Sequence, residues 1–177
     1  ILADNFDVVA GFIQDAASNA SVSDALTDGT ISYSDTTAPT VSAFTSSTAN
    51  GSYKDTDTIN ITATMSEAVT GGTAVSVTLG TGDVISLTRS TTTSLTGTYT
   101  VSAGDTSSDL TVNSFTITSG QDLFGNTLTS TTLPTGANLA DNKDIVIDTT
   151  APTATLSSVA YNSTTGVLTF TGTNLDT

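Results

Sequence analysis

Apolar and polar residues alternate along most of this chain. Across residues 58–65, Ile59, Ile61, Ala63 and Met65 fall on one face, and Thr58, Asn60, Thr62 and Thr64 on the other. Val75, Val77 and Leu79 repeat the pattern. Ile85, Leu87 and Arg89 oppose Val84 and Ser86, Tyr99 and Val101 follow, and Ile145 with Ile147 closes the set. A period of two marks a half-buried strand, because successive side chains of a pleated chain leave opposite faces. Leu110 and Val112 run one pleat out of phase with Phe115 and Ile117, a slip that a bulge would absorb. Asn162-Ser163-Thr164-Thr165-Gly166, set between Val159-Ala160-Tyr161 and Val167-Leu168-Thr169-Phe170, reads as a hairpin turn. Residues 5–13 fit a helix or a strand equally well.

Composition strengthens this picture. The 177 residues include 41 Thr and 23 Ser, over a third of the chain. Thr is β-branched and suits a pleated surface better than a helix, while the usual helix-covering residues Lys, Arg, Glu, Gln and Met are scarce. Strands of five to eight residues separated by Gly, Ser, Asn and Asp clusters predict an all-β sandwich.

Charge and missing residue types narrow the chemistry. There are 17 acids against 3 bases, a net charge of −14, and no His, Cys or Trp. No imidazole base, thiolate nucleophile, zinc finger or disulfide framework is available. Such an acidic chain repels phosphate backbones and anionic lipid, so nucleic acid is not an expected partner. The apolar runs are far short of the ~20 residues a membrane helix requires, so no membrane insertion is expected in this segment. The sequence opens Ile1-Leu2-Ala3-Asp4 and closes within an apparent strand pair, and it reads as a piece of a longer exported protein.

An internal repeat sets the domain plan. Asp35-Thr36-Thr37-Ala38-Pro39-Thr40 recurs letter for letter as Asp148-Thr149-Thr150-Ala151-Pro152-Thr153. Gln14-Asp15 with Asn19, and Gln121-Asp122 with Asn126, precede the two copies in the same order. The expected layout is therefore the closing strands of one domain over 1–34, a complete sandwich over 35–147, and the opening strands of another sandwich over 148–177. Pro39 and Pro152 would make each connection short and semi-rigid.

DTTAPT, followed by Ile59-Asn60-Ile61-Thr62, Ser66-Glu67-Ala68-Val69 and Asp122-Leu123-Phe124-Gly125-Asn126, resembles the bacterial immunoglobulin-like repeats of large cell-surface proteins. Such repeats occur in type I-secreted adhesins and in surface-layer proteins. The resemblance implies tandem immunoglobulin-like Greek-key β-sandwiches, secretion to the bacterial cell surface, and calcium at the joints.

The topology of such a sandwich also places the acids. Loops returning to the N-terminal end would carry Glu67, the only Glu of the chain, together with Asp122 and Asn126, while Asp35 lies in the joint. Asp148 would serve the next joint. Ca²⁺ takes six to eight oxygen ligands, which carboxylates and carbonyls from several loops can supply. Asp35, Glu67, Asp122, Asn126 and Asp148 are accordingly the candidate metal ligands. Asp55, Asp57, Asp105, Asp109, Asp141 and Asp144 form a second acidic group at the opposite end. Each Asp taken singly is better explained as a turn cap or a solubilising charge; it is Asp35, Glu67 and Asp122 taken together that point to a metal. Four N-x-S/T triplets begin at Asn19, Asn50, Asn60 and Asn162, a number expected in so Ser/Thr-rich a chain.

The expected function is non-catalytic: a structural repeat region of a secreted bacterial surface protein, in an adhesin stalk or surface layer. Its expected partners are neighbouring repeats of the same chain and lateral copies of itself. A glycan- or protein-binding module is the alternative, but its sign, aromatics grouped at one loop end, is missing. Enzymatic hydrolysis finds no G-x-S-x-G elbow and no base for any Ser.

Overall fold

The alternating runs become strands. A computed structural model describes residues 35–175, together with the backbone of two short antiparallel strands, β1 (Asp7–Val8) and β2 (Asp24–Ala25). The chain divides into two units, residues 1–35 and 36–177. The helix-or-strand expectation for residues 5–13 lies outside the described residues except at Asp7 and Val8, which are strand. The element from Gln14 to Asn19 also lies outside them.

The second unit continues with β3 (Val41–Thr45), β4 (Gly51–Tyr53), β5 (Thr58–Met65), β6 (Ala74–Leu79), β7 (Val84–Thr91) and β8 (Ser94–Thr100). Next come β9 (Thr106–Ser107), β10 (Val112–Ser119), the short helix α1 (Leu139–Asn142), β11 (Ile145–Asp148), β12 (Thr155–Asn162) and β13 (Val167–Thr173). Six strands form one antiparallel sheet in the order β10-β6-β7-β8-β5-β3. A second sheet has the order β4-β11-β9, in which β11 runs parallel to β4 and antiparallel to β9. The described residues are all-β apart from that single turn of helix.

Both sheets supply one core. Ile59, Ile61, Ala63 and Met65 are buried along β5, and Val75, Val77 and Leu79 along β6, as their alternation predicts. Ile145 and Ile147 of β11 join the same cluster. On β7 only Leu87 is fully buried, and Val84 faces outward at 65% exposure. The phase slip near Val112 is a register shift between Val112 and Ser114 where β10 pairs with β6.

The edge strands β3 and β10 meet. Phe44 on β3 packs edge-on against Phe115 on β10, with ring centroids 5.6 Å apart. The helix α1 reinforces the meeting. Asn138, its N-cap, donates from Nδ2 to the Val112 carbonyl at 2.9 Å and accepts the Val112 N–H on Oδ1 at 3.2 Å. On the other side the Phe44 N–H donates to the Ala137 carbonyl, and Asn142 Nδ2 donates to the Phe44 carbonyl, both at 2.8 Å. One turn of helix therefore satisfies main-chain groups on both sheet edges.

The predicted C-terminal hairpin is present as β12 and β13, with Gly166 N–H closing the turn on the Asn162 carbonyl. Val159 faces Phe170 and Tyr161 faces Leu168, so these four share one side of the ribbon with Leu156. Each of the five is more than half exposed. The opposite side carries Ser158, Ala160, Asn162, Thr169 and Thr171, with Val167.

Candidate metal centre

Three loop segments build the acidic cluster. Glu67 follows β5 by two residues, at the point where the strand ends in a bend. The turn that carries it is tied to the DTTAPT segment by a reciprocal pair. Thr40 N–H donates to Ser66 Oγ, and Ser66 N–H donates to the Thr40 carbonyl, both at 2.9 Å. Pro39 beside Thr40 is buried. Asp122 is brought in by an isolated antiparallel bridge to Val69. Sequence reasoning did not foresee the Thr40–Ser66 clasp: both residues lie in motifs it singled out, but nothing in those motifs pairs them.

Asp122 is the most organised member. It is 1% exposed, and its Oδ1 accepts the N–H groups of Phe124 and Asn126, both at 2.8 Å. Its Oδ2 accepts Asn126 Nδ2 at 2.7 Å. Burial by itself would raise the Asp122 pKa. The bonds from the Asn126 side chain and from the N–H groups of Asn126, Phe124 and Gly125 outweigh it and hold the carboxyl below its ordinary value. Four donors therefore converge on its two oxygens, which fixes the orientation of the carboxylate.

Asp35, Glu67 and Asp122 each bring a carboxylate oxygen to within 4.8 Å of the other two, with Asp35 and Glu67 half-buried. Carboxylates this close repel one another unless a cation or a proton neutralises them. The donor set is all oxygen, which suits a hard cation such as Ca²⁺ or Mg²⁺ and not a soft one. With one oxygen from each carboxylate, about three further oxygen donors, from main-chain carbonyls or water, would be the least needed to complete calcium coordination.

The other two candidates stand differently. Asn126 acts on the cluster through Asp122, to which its side-chain amide donates. Asp148 ends β11, is exposed, and accepts the Thr150 N–H on Oδ1 at 2.8 Å, a turn-capping role away from the three-acid group. Among the described residues no other three acids converge as closely. The second acidic group is used locally. Asp57 accepts Lys54 N–H, Asp105 accepts Ser102 N–H and the Tyr99 hydroxyl, Asp141 accepts Asn138 N–H in a capping box, and Asp144 accepts Asn50 Nδ2.

A shallow cavity of about 330 Å³ lies beside this end, lined by Thr70, Gly72, Thr73, Ser119, Gln121 and Thr127. Three of its hydroxyls are committed to main-chain carbonyls. Thr70 donates to the Gln121 carbonyl, Thr73 to the Thr70 carbonyl, and Ser119 to the Gly72 carbonyl. Of the aromatics, Phe44, Tyr99 and Phe115 are core, Tyr53 packs against the core, and Phe124 is half exposed on the loop after Asp122. Asn60 is no open glycosylation acceptor: its side chain bonds Ser47, Thr62 and the Gly97 carbonyl.

The chain matches no protein-family model, and no curated protein or solved structure resembles it significantly. No helix among the described residues is long and apolar enough to cross a membrane.

Proposed function

We infer that this chain is a non-catalytic structural repeat region of a secreted bacterial cell-surface protein. In this reading it is a string of immunoglobulin-like β-sandwiches stiffened by calcium at the DTTAPT connections. The observation that carries the reading is the convergence of Asp35, from the first DTTAPT element, on Glu67 and Asp122. A divalent ion held there would neutralise three carboxylates and fix the connection to the two loops behind them. Oxygen ligands from separate loops are drawn together by such an ion and pushed apart without it.

Two further features support the tandem plan. β5 lies beside β8 while β6, β7 and β8 follow one another as neighbours, an order that suits a Greek-key sandwich. The second DTTAPT leads into a hairpin whose apolar side is bare, as the opening strands of another sandwich would present it. Stalk and surface-layer roles share this mechanics, since a tandem array draws its stiffness from each bead and each connection.

Calorimetric titration with CaCl₂, with melting and small-angle scattering in calcium and in chelator, tests the proposal. Binding heat that is lost in the Glu67→Gln variant, and a lower melting temperature with a less extended scattering profile in chelator, are expected. Absence of heat, with identical melting and scattering in both buffers, would reject the calcium mechanism.

A further inference from the structure

Asn50 precedes Gly51, the only Asn-Gly step in the chain, and both residues are exposed. An asparagine before glycine is open to attack on its side-chain amide by the next main-chain nitrogen, because no Cβ hinders closure of the five-membered ring. Nothing stands within 4 Å of where a Gly51 Cβ would lie, and its φ of +148° is one that L side chains rarely adopt. Neither crowding nor burial protects this step. Two hydrogen bonds to a single residue do. The Gly51 N–H donates to the Asp144 carbonyl at 3.0 Å, and Asn50 Nδ2 donates to Asp144 Oδ2 at 3.1 Å.

We propose that Asn50 is a site of spontaneous deamidation, and that Asp144 restrains the reaction by holding both reacting groups. In the reaction the Gly51 N–H gives its proton to solvent base and the nitrogen bonds Asn50 Cγ. The Cγ–Nδ2 bond breaks, and ammonia leaves with a proton from solvent. Water then opens the succinimide at either carbonyl, yielding aspartate or isoaspartate. The net change is amide plus water to acid plus ammonia, with no oxidation or reduction.

Each bond to Asp144 opposes one part of this sequence. The proton that must leave Gly51 is engaged next to the parallel pairing of β4 with β11, where Gly51 faces Ile145. The amide nitrogen, donating to a carboxylate, becomes more electron-rich, and its carbon a poorer electrophile. The product cannot resume the native arrangement. An aspartate at position 50 sets one carboxylate against that of Asp144, and an isoaspartate adds a main-chain methylene just ahead of Gly51. Deamidation thus releases β4 from β11 in one direction only, and local opening of β4 is the event that permits it.

Peptide mapping with isoaspartate detection, on the whole chain aged in mildly alkaline buffer, tests this. Native wild type should react at Asn50 roughly tenfold or more slowly than the chain unfolded in urea. Asp144→Ala should react several-fold faster than native wild type, Asp144→Asn, which keeps an acceptor oxygen, should stay near it, and Asn50→Gln should show no product at this position. Equal rates in native and unfolded wild type would overturn the proposal. So would an Asp144→Ala variant that melts like wild type and reacts no faster. Should Asp144→Ala not fold, amide exchange decides: a Gly51 N–H as unprotected in native wild type as in the unfolded chain overturns it.

Discussion

The Tyr99 hydroxyl donates to Asp105 Oδ2 at 2.6 Å, and the same oxygen accepts the Ser102 N–H at 2.7 Å. One carboxylate thus closes the turn after β8 and holds the ring near its end. Tyr99→Phe removes a bond to a charged acceptor that is itself only half-buried and can turn to water. The expected loss is about 1–2 kcal/mol of unfolding free energy, read by urea titration at neutral pH.

The same ring predicts an alkaline limb. Burial, and then the bond to Asp105, push the Tyr99 phenol well above its ordinary value of 10.0. The folded state therefore keeps the proton that the unfolded state releases. Stability from this group is complete below pH 10 and is lost as pH rises from there toward the folded pKa. Urea midpoints measured across that range should fall in wild type and fall less in Tyr99→Phe.

Asp122 predicts an acid limb of opposite sense. Its folded pKa lies below the ordinary 3.8, so its contribution is present above that value and is lost as pH falls from 3.8 through the folded pKa. In chelator, Asp122→Asn should lower the melting temperature at neutral pH and flatten the acid side of the stability profile. An unchanged acid side would show that other carboxyls set it.

Gly97 sits in β8 against β7, and a Cβ there would collide with the Ser86 carbonyl and lie 2.7 Å from Leu87 Cδ2. One partner is main chain and the other is core, so neither yields cheaply. Gly97→Ala should cost about 1–3 kcal/mol, the usual penalty of overpacking, despite the better strand propensity of alanine over glycine. Chemical denaturation checks it.

Asn138 caps α1 and bonds both main-chain groups of Val112. Asn138→Ala should cost about 1–3 kcal/mol, because the cap and two half-buried main-chain partners are lost together. Amide exchange should show the loss first at Val112 and Leu139.

Strands β5 and β6 were legible because their alternation matches burial residue by residue: Ile59, Ile61, Ala63 and Met65 are all inward, as are Val75, Val77 and Leu79. The slip at Val112 was legible for the same reason, since a bulge shifts the pleat by one. The short strands β4 and β9 and the four-residue helix were not, because two to four residues carry no period. A signal for α1 did exist in the Asn138-to-Asp141 spacing, which forms a capping box. At the cluster, chain topology indicated that Glu67 and Asp122 could approach Asp35. The network that prepares Asp122 was invisible, since one aspartate followed by Asn four residues later is commonplace. Asp148 copies Asp35 in sequence and caps a turn by accepting the Thr150 N–H.

The single turn of helix between β10 and β11 has a wider consequence. Open strand borders are where proteins at high local concentration stitch themselves together uncontrollably. By engaging Phe44 on one border and Val112 on the other, residues 137–142 deny part of each to a stranger. A molecule defended in this way can be crowded beside its own kind with less risk of fusing into fibres.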